Sequence, residues 1–158
     1  MGIRKYTKLM QNYVETITPN VSDTWRADEI YLKVRGNMKY LFSMMDDETR
    51  FWIAQEVGET KDNHDARVLF SKAKYLMGKQ PQTLVTDGLQ SYYTACSQVF
   101  SNTEHVRKIT LKGKVHNNNK MERMNGEIRD REKTMRGLKT KHCYSQGLSA
   151  IPQLHPTP

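Results

Sequence analysis

Apolar positions along the chain change period once, and the change divides it into two halves. Up to about residue 57 they fall in short runs rich in aromatic and β-branched residues, the composition of strands. Residues 25–34 form the first run. Arg35, Gly36 and Asn37 supply a tight hairpin turn, and residues 38–45 form the returning strand. Asp46, Asp47, Glu48 and Thr49 read as a second, solvated turn before a third strand at 50–57. Beyond it the period lengthens to that of a helix. Ala66, Leu69, Phe70, Ala73, Leu76 and Met77 share one face, with Asp62 as N-cap, Asp65 in the first turn, and Gly78 and Pro81 as the stop. Residues 83–86 are a short apolar strand running into Asp87 and Gly88. Leu89, Tyr92, Tyr93, Cys96, Val99 and Phe100 repeat the helical spacing. Residues 105–111 read as a fifth strand, and residues 117–139 as a long helix with Met121, Met124, Ile128, Met135 and Leu138 on one stripe.

The resulting order, β-β-β-α-β-α-β-α, predicts an α/β fold. A three-stranded antiparallel meander is joined to later parallel strands in one mixed sheet, with helices on its faces. The 158 residues suit a single domain. Residues 1–23 read as a polar lead-in with a short helix near 6–14, residues 24–142 as the core, and residues 143–158 as an irregular, proline-containing tail.

Charge sharpens this outline. The net charge is +8, and it is not evenly spread. The stretch 107–141 holds twelve basic and four acidic residues, an excess equal to that of the whole chain. A local basic block points to a polyanion. No apolar run is long enough to span a membrane, and no apolar segment follows the first residues as in a secretory leader. Cys96 and Cys143 are too few for a disulfide framework or a thiolate zinc site and read as free thiols. The expected location is the cytoplasm. The five histidines lack ligand spacing. Trp25, Trp52 and most methionines read as packing residues.

Three acids occupy unusual places. Asp28 lies inside the first strand, where an ionised carboxylate under a helix is unfavourable unless something pairs with it. Asp87 ends the fourth strand, where α/β sheets place ligand sites. Glu122 lies on the long helix, with Asn118, Asn125 and Arg129 on its polar face, opposite the methionine stripe. If the first and fourth strands are neighbours, Asp28 and Asp87 are side by side, and the helix can bring Glu122 over them. Converging carboxylates repel unless a cation shares them, and all-oxygen donors favour Mg²⁺ or Mn²⁺. Two such ions activate a nucleophile and stabilise the leaving oxygen of a phosphodiester. Beside that cluster, the basic residues of the helix would hold a phosphate backbone: Lys120, Arg123, Arg129, Arg131, Lys133, Arg136 and Lys139.

The segments Trp25-Arg26-Ala27-Asp28-Glu29, Thr86-Asp87-Gly88 and residues 117–126 (NNNKMERMNG) resemble the DDE transposase/integrase superfamily, above all the transposases of short insertion sequences. Asp87 and Glu122 are 35 positions apart, the spacing of that family, and Arg129 follows Glu122 by seven. The resemblance spans residues 20–140. It implies a ribonuclease H-like fold, Asp28, Asp87 and Glu122 as the catalytic, metal-binding triad, and two divalent ions, Mg²⁺ or Mn²⁺. It also implies strand cleavage and strand transfer on transposon ends and target DNA, with the protein a homo-oligomer on DNA. Arg129 would touch DNA near the site, with Lys120 and Arg123 as phosphate neighbours. The family's end-recognition domain and its later motif find no match, so the expectation is a catalytic core truncated at both ends. A DNA-binding remnant without turnover and a ribonuclease H-type nuclease are the alternatives.

Overall fold

A computed structural model of the chain describes residues 19–34, 36–107 and 119–134, together with Tyr6, Leu9, Met10 and Tyr13. The elements are β1 (Thr24–Val34), β2 (Asn37–Asp46), β3 (Trp52–Gly58), α1 (Asn63–Met77), β4 (Thr83–Thr86), α2 (Gln90–Val99), β5 (Glu104–Arg107) and α3 (Asn119–Thr134). They form the mixed sheet expected. Its order is β3-β2-β1-β4-β5, antiparallel across β1–β2–β3 and parallel across β1–β4–β5.

Local chemistry sets most boundaries. Val34 pairs with Asn37, which closes the first hairpin over two residues. Gly36, at φ 85°, supplies the left-handed conformation that side chains disfavour. Asn37 therefore belongs to the strand rather than to the turn. The second turn runs on to residue 51, because the Arg50 N–H donates to the Asp46 carbonyl and the Asp46 N–H to the Phe51 carbonyl. This delays β3 to Trp52. Asp62 caps α1 by accepting from the His64 and Asp65 N–H groups, and Gly78 ends it in the left-handed region. The expected fifth strand is present over Glu104–Arg107 and the long helix over Asn119–Thr134. Residues 108–118 and 135–158 lie outside the described set, as do His116, Arg136, Lys139 and Cys143.

The pleat of β1 sorts its side chains between two cores. Trp25 and Ala27 face α1 and α2, where they pack with Phe42, Met44, Leu69, Phe70, Leu84, Tyr92 and Phe100. This core is aromatic. Phe70 stacks on Tyr92 and Phe100 at 5.8 and 5.3 Å between centroids, and Trp25 meets the edge of Phe100 at 6.2 Å. On the other side, Ile30, Leu32 and Val34 pack with Leu41, Met45 and Trp52 against Met121, Met124 and Ile128 of α3. Met121, Met124 and Ile128 of the sequence's methionine stripe are the buried seam of that helix, and Met135 and Leu138 lie outside the described residues.

The second turn is not solvated as the sequence suggested. Asp46 is fully buried. Its carboxylate accepts from the Ser22 N–H (2.8 Å) and Oγ (2.5 Å) and from the Thr49 N–H (2.8 Å) and Oγ1 (2.6 Å). Asp47 accepts from Arg26 and, at 3.1 Å, from Lys120 Nζ. Burial alone would raise both carboxyls, but these donors outweigh it and hold each below the ordinary aspartate value. The turn thus binds the segment before β1 to the start of α3. Asp46→Ala is expected to destabilise the fold by about 2–4 kcal/mol, because it strands buried donors. Since a depressed carboxyl stabilises above its unfolded pKa and loses that contribution as pH falls, the variant should also lose part of the acid sensitivity below about pH 4. Urea unfolding at pH 7 and pH 3 reads both effects.

Candidate active site

Asp28 and Asp87 meet at the carboxyl end of the parallel strands. β1 pairs with β4 in the register Thr24–Thr83, Trp25–Leu84, Arg26–Val85, which, extended two residues, sets Asp87 opposite Asp28. The neighbourhood read from the sequence is therefore present. Carboxylate oxygens of Asp28, Glu29 and Asp87 lie within 4.8 Å of one another. Asp87 is exposed, and its Oδ1 is aimed by the Leu89 N–H at 3.1 Å, in the turn that leads into α2. Asp28 is half-buried, its Oδ1 accepting from the Glu29 N–H at 2.9 Å and its Oδ2 from Asn125 Nδ2 at 2.8 Å. Its carboxyl is pushed up to about 6, first by burial, then by the negative charge of Glu29, with Asp87 adding to it.

Glu29 belongs to the same cluster, although its spacing marks it for no role. Its side chain is only 3 % exposed and is already partnered. Lys61 Nζ donates to Oε1 at 2.7 Å and the Tyr92 hydroxyl to Oε2 at 2.9 Å. Lys61 in turn lies 4.9 Å from the ring centroid of Tyr31 and 5.4 Å from that of Tyr40. Two adjacent acids in one strand point to opposite sides of the sheet, so Glu29 enters the aromatic side while Asp28 faces α3. A Lys before the first helix and a Tyr on the second gave no signal that they neutralise it.

α3 runs along β1 and is tied to it at two points and to the turn after β2 at a third. Lys120 donates to the Asp47 carbonyl and carboxylate near its start, Asn125 to Asp28 midway, and Glu132 Oε1 accepts from the Lys33 N–H at 2.8 Å toward its end. Asn125 is not opposite the methionines, as its spacing suggests, but beside them, 7 % exposed and turned inward. At 100° per residue it stands about 40° from Met121 around the helix, close enough to share the seam. Glu122 is exposed on the first turn of α3. It precedes Asn125 by three residues, a spacing that sets Cβ atoms about 5–6 Å apart on one helix surface. Arg123, Arg129, Arg131 and Lys133 are exposed along the same helix. Lys133 also faces Asp130 at 3.6 Å.

As a donor set, Asp28 and Asp87 suit a hard divalent cation. Their oxygens converge, each retains lone pairs beyond the hydrogen bonds described, and the raised carboxyl of Asp28 marks a negative charge that a cation would relieve. Among the described residues no helix is long and apolar enough to cross a membrane.

Comparison with known proteins gives the fold and the family. The chain is 27 % identical over 139 residues to the transposase for insertion sequence-like element IS431mec of Staphylococcus aureus. The identity to the transposase for insertion sequence element IS257 in transposon Tn4003 of the same species is equal. In each case the match covers 83 % of this chain and 57 % of the relative, so the chain spans little more than half the length of these curated relatives. Among solved structures, the HTLV-2 integrase catalytic core domain in complex with magnesium (trimeric form) superposes with a TM-score of 0.64 at 17 % identity, covering 87 % of this chain and 90 % of that one. The catalytic core domain of BIV integrase gives 0.60 at 13 % identity, covering 87 % and 88 %. These likenesses establish the ribonuclease H-like integrase-core fold. Residues 22–156 match the family model of the IS240-type transposase DDE domain, and the chain is therefore a member of the DDE domain family, within the transposase/integrase superfamily.

Proposed function

We propose that this chain is the catalytic domain of an insertion-sequence transposase, cutting DNA strands and joining them to a target, with Asp28, Asp87 and Glu122 as its catalytic carboxylates. The observation that carries the reading is the convergence of Asp28 and Asp87 at the carboxyl edge of the sheet in a DDE-domain chain. Asp28 and Asp87 would hold divalent cations, with Glu122 completing the set from α3. When bound, Mg²⁺ or Mn²⁺ supplies the activation of water or a 3′-hydroxyl and the stabilisation of the leaving oxygen.

The remaining work falls to the chain's own residues. The Leu89 N–H and Asn125 Nδ2 orient Asp87 and Asp28. Burial and the neighbouring acids give Asp28 an affinity for positive charge. Arg123, Arg129, Arg131 and Lys133 lie exposed on the helix that carries Glu122 and would bind phosphates beside the site. Arg136 and Lys139 would continue that line. Lys120 has a second task, since its ammonium is held by Asp47, and its phosphate contact would require sharing that partner. The reading also takes DNA ends and target as substrates, and a homo-oligomer on DNA in the cytoplasm.

The test is nicking of a labelled duplex with Mg²⁺ or Mn²⁺. We expect metal-dependent nicks that disappear in Asp87→Asn while duplex binding persists. Binding of the parent chain should weaken steeply between about 50 and 200 mM salt, because each phosphate contact releases counterions. Nicking by Asp87→Asn at the parent rate would remove the carboxylate assignment. Binding without nicking in the parent would leave a DNA-binding domain without turnover, and preferential cutting of RNA–DNA hybrids would point to a ribonuclease H-type activity.

A further inference from the structure

The outer edge of the sheet carries a cluster that the carboxylate site does not use. In β5, His105 and Arg107 point to the same side, toward α2, because they are two residues apart in a strand. Tyr93 of α2 lies over both. Its ring stacks on His105 at 6.1 Å between centroids and 24° between planes, and the Arg107 guanidinium sits 4.5 Å from its centroid. His105 Nε2 lies 2.9 Å from Thr86 Oγ1, the residue before Asp87, which anchors the cluster to β4. Tyr93 is 47 % exposed and Arg107 is exposed. Among the described residues no carboxylate forms a salt bridge with Arg107.

The position matters as much as the chemistry. Arg107 pairs in register with Thr86, so it is one strand away from the residue that leads into Asp87. Neighbouring strands are about 4.8 Å apart, so Arg107 is placed to take a phosphate of a strand held at Asp87. On α2, Tyr93 adjoins Tyr92, whose hydroxyl donates to Glu29, the residue after Asp28. An exposed aromatic braced by a guanidinium is the pairing that proteins use for unpaired bases on a phosphate backbone.

We propose that Tyr93 and Arg107 form a contact surface for an unpaired DNA strand next to the acidic site, Arg107 taking a phosphate and Tyr93 stacking on a base. This rests on the DNA-processing reading above. His105 is the brace that holds the tyrosine ring in place, and the sheet edge at β5 becomes the side on which a strand enters or leaves.

Fluorescence anisotropy of the 158-residue chain with a blunt duplex and with a forked duplex bearing a single-stranded arm tests this. The parent should bind the fork more tightly. Tyr93→Ala should lower fork affinity about fivefold or more and blunt-duplex affinity less than twofold, with Tyr93→Phe restoring the fork preference. Arg107→Ala should weaken both and lower the salt slope by about one. The far-ultraviolet circular dichroism of each variant should match the parent. A fork preference unchanged in Tyr93→Ala, or a salt slope unchanged in Arg107→Ala, would overturn the proposal while leaving the DNA-processing reading intact. A parent that binds neither DNA removes that reading and this one together.

Discussion

Asp28→Asn is expected to do two opposite things: to abolish metal-dependent nicking, by on the order of a thousandfold, and to make the metal-free protein more stable. The second effect follows from the rise of the Asp28 carboxyl to about 6 from 3.8. An acid whose folded-state pKa is raised contributes most below its unfolded pKa, and that contribution is lost as pH rises through the folded value. Above pH 6 the ionised carboxylate therefore opposes folding, by at most about 3 kcal/mol. An asparagine removes the repulsion from Glu29 and Asp87, although its single oxygen cannot serve both the Glu29 N–H and Asn125. The net gain should be about 1–2 kcal/mol, or a Tm higher by roughly 3–6 °C for a chain of this size. The advantage of the variant should reach its plateau by pH 7 and be lost as pH falls from 6 towards 4. Added Mg²⁺ or Mn²⁺ should raise the Tm of the parent and leave that of the variant nearly unchanged. Calorimetry across pH, with and without metal, gives all three readings. A variant less stable than the parent at pH 7 would mean that the carboxylate is held by attraction rather than tolerated.

The second large effect concerns the other acid of the pair. Lys61→Met should destabilise the fold by about 2–3 kcal/mol, because it leaves the buried carboxylate of Glu29 with only a tyrosine hydroxyl. The exposure of Lys61, 31 % for its side chain, keeps the figure below that of a wholly buried pair. In Glu29→Gln the lysine loses its partner but reaches water, so that variant should be nearly neutral. The double variant should recover most of what Lys61→Met loses, giving a coupling energy of 1 kcal/mol or more in a double-mutant cycle. Urea denaturation at pH 7 measures it. Additive effects would show that the pair is not coupled. The expected coupling also bears on the site, since an unneutralised Glu29 places a second full charge beside Asp28.

The sheet was readable because its signals are local. The helical spacing from Ala66, the Asp62 cap and the Gly78 stop need only neighbouring residues, and the structure has the helix, cap and stop where the sequence predicts them, with Leu76 exposed rather than on the buried face. The adjacency of Asp28 and Asp87 also followed, from one assumption about strand order that the parallel pairing of β1 and β4 supports. Contacts between distant segments were not readable. Asp46 looked like a turn residue because the sequence cannot show that Ser22, 24 positions earlier, folds back onto it. Asn125 looked like part of an exposed polar face because polarity alone does not say which side of a helix meets a carboxylate. Glu29 was passed over because its partners, 32 and 63 positions away, become neighbours only once α1 and α2 have packed.

The alternation of β1 makes the spelling of the strand unforgiving. Asp28 and Glu29 carry the same charge and stand next to each other, yet one faces α3 beside Asp87 and the other is locked into an ion pair, and only the parity of their positions sorts them. One residue inserted or deleted between Trp25 and Asp28 would exchange them, sending Asp28 among the aromatic rings and Glu29 beneath α3. The length of that segment is thus under a constraint separate from the identity of any residue in it. Drift along this strand can proceed by substitution, and by gaps only in multiples of two.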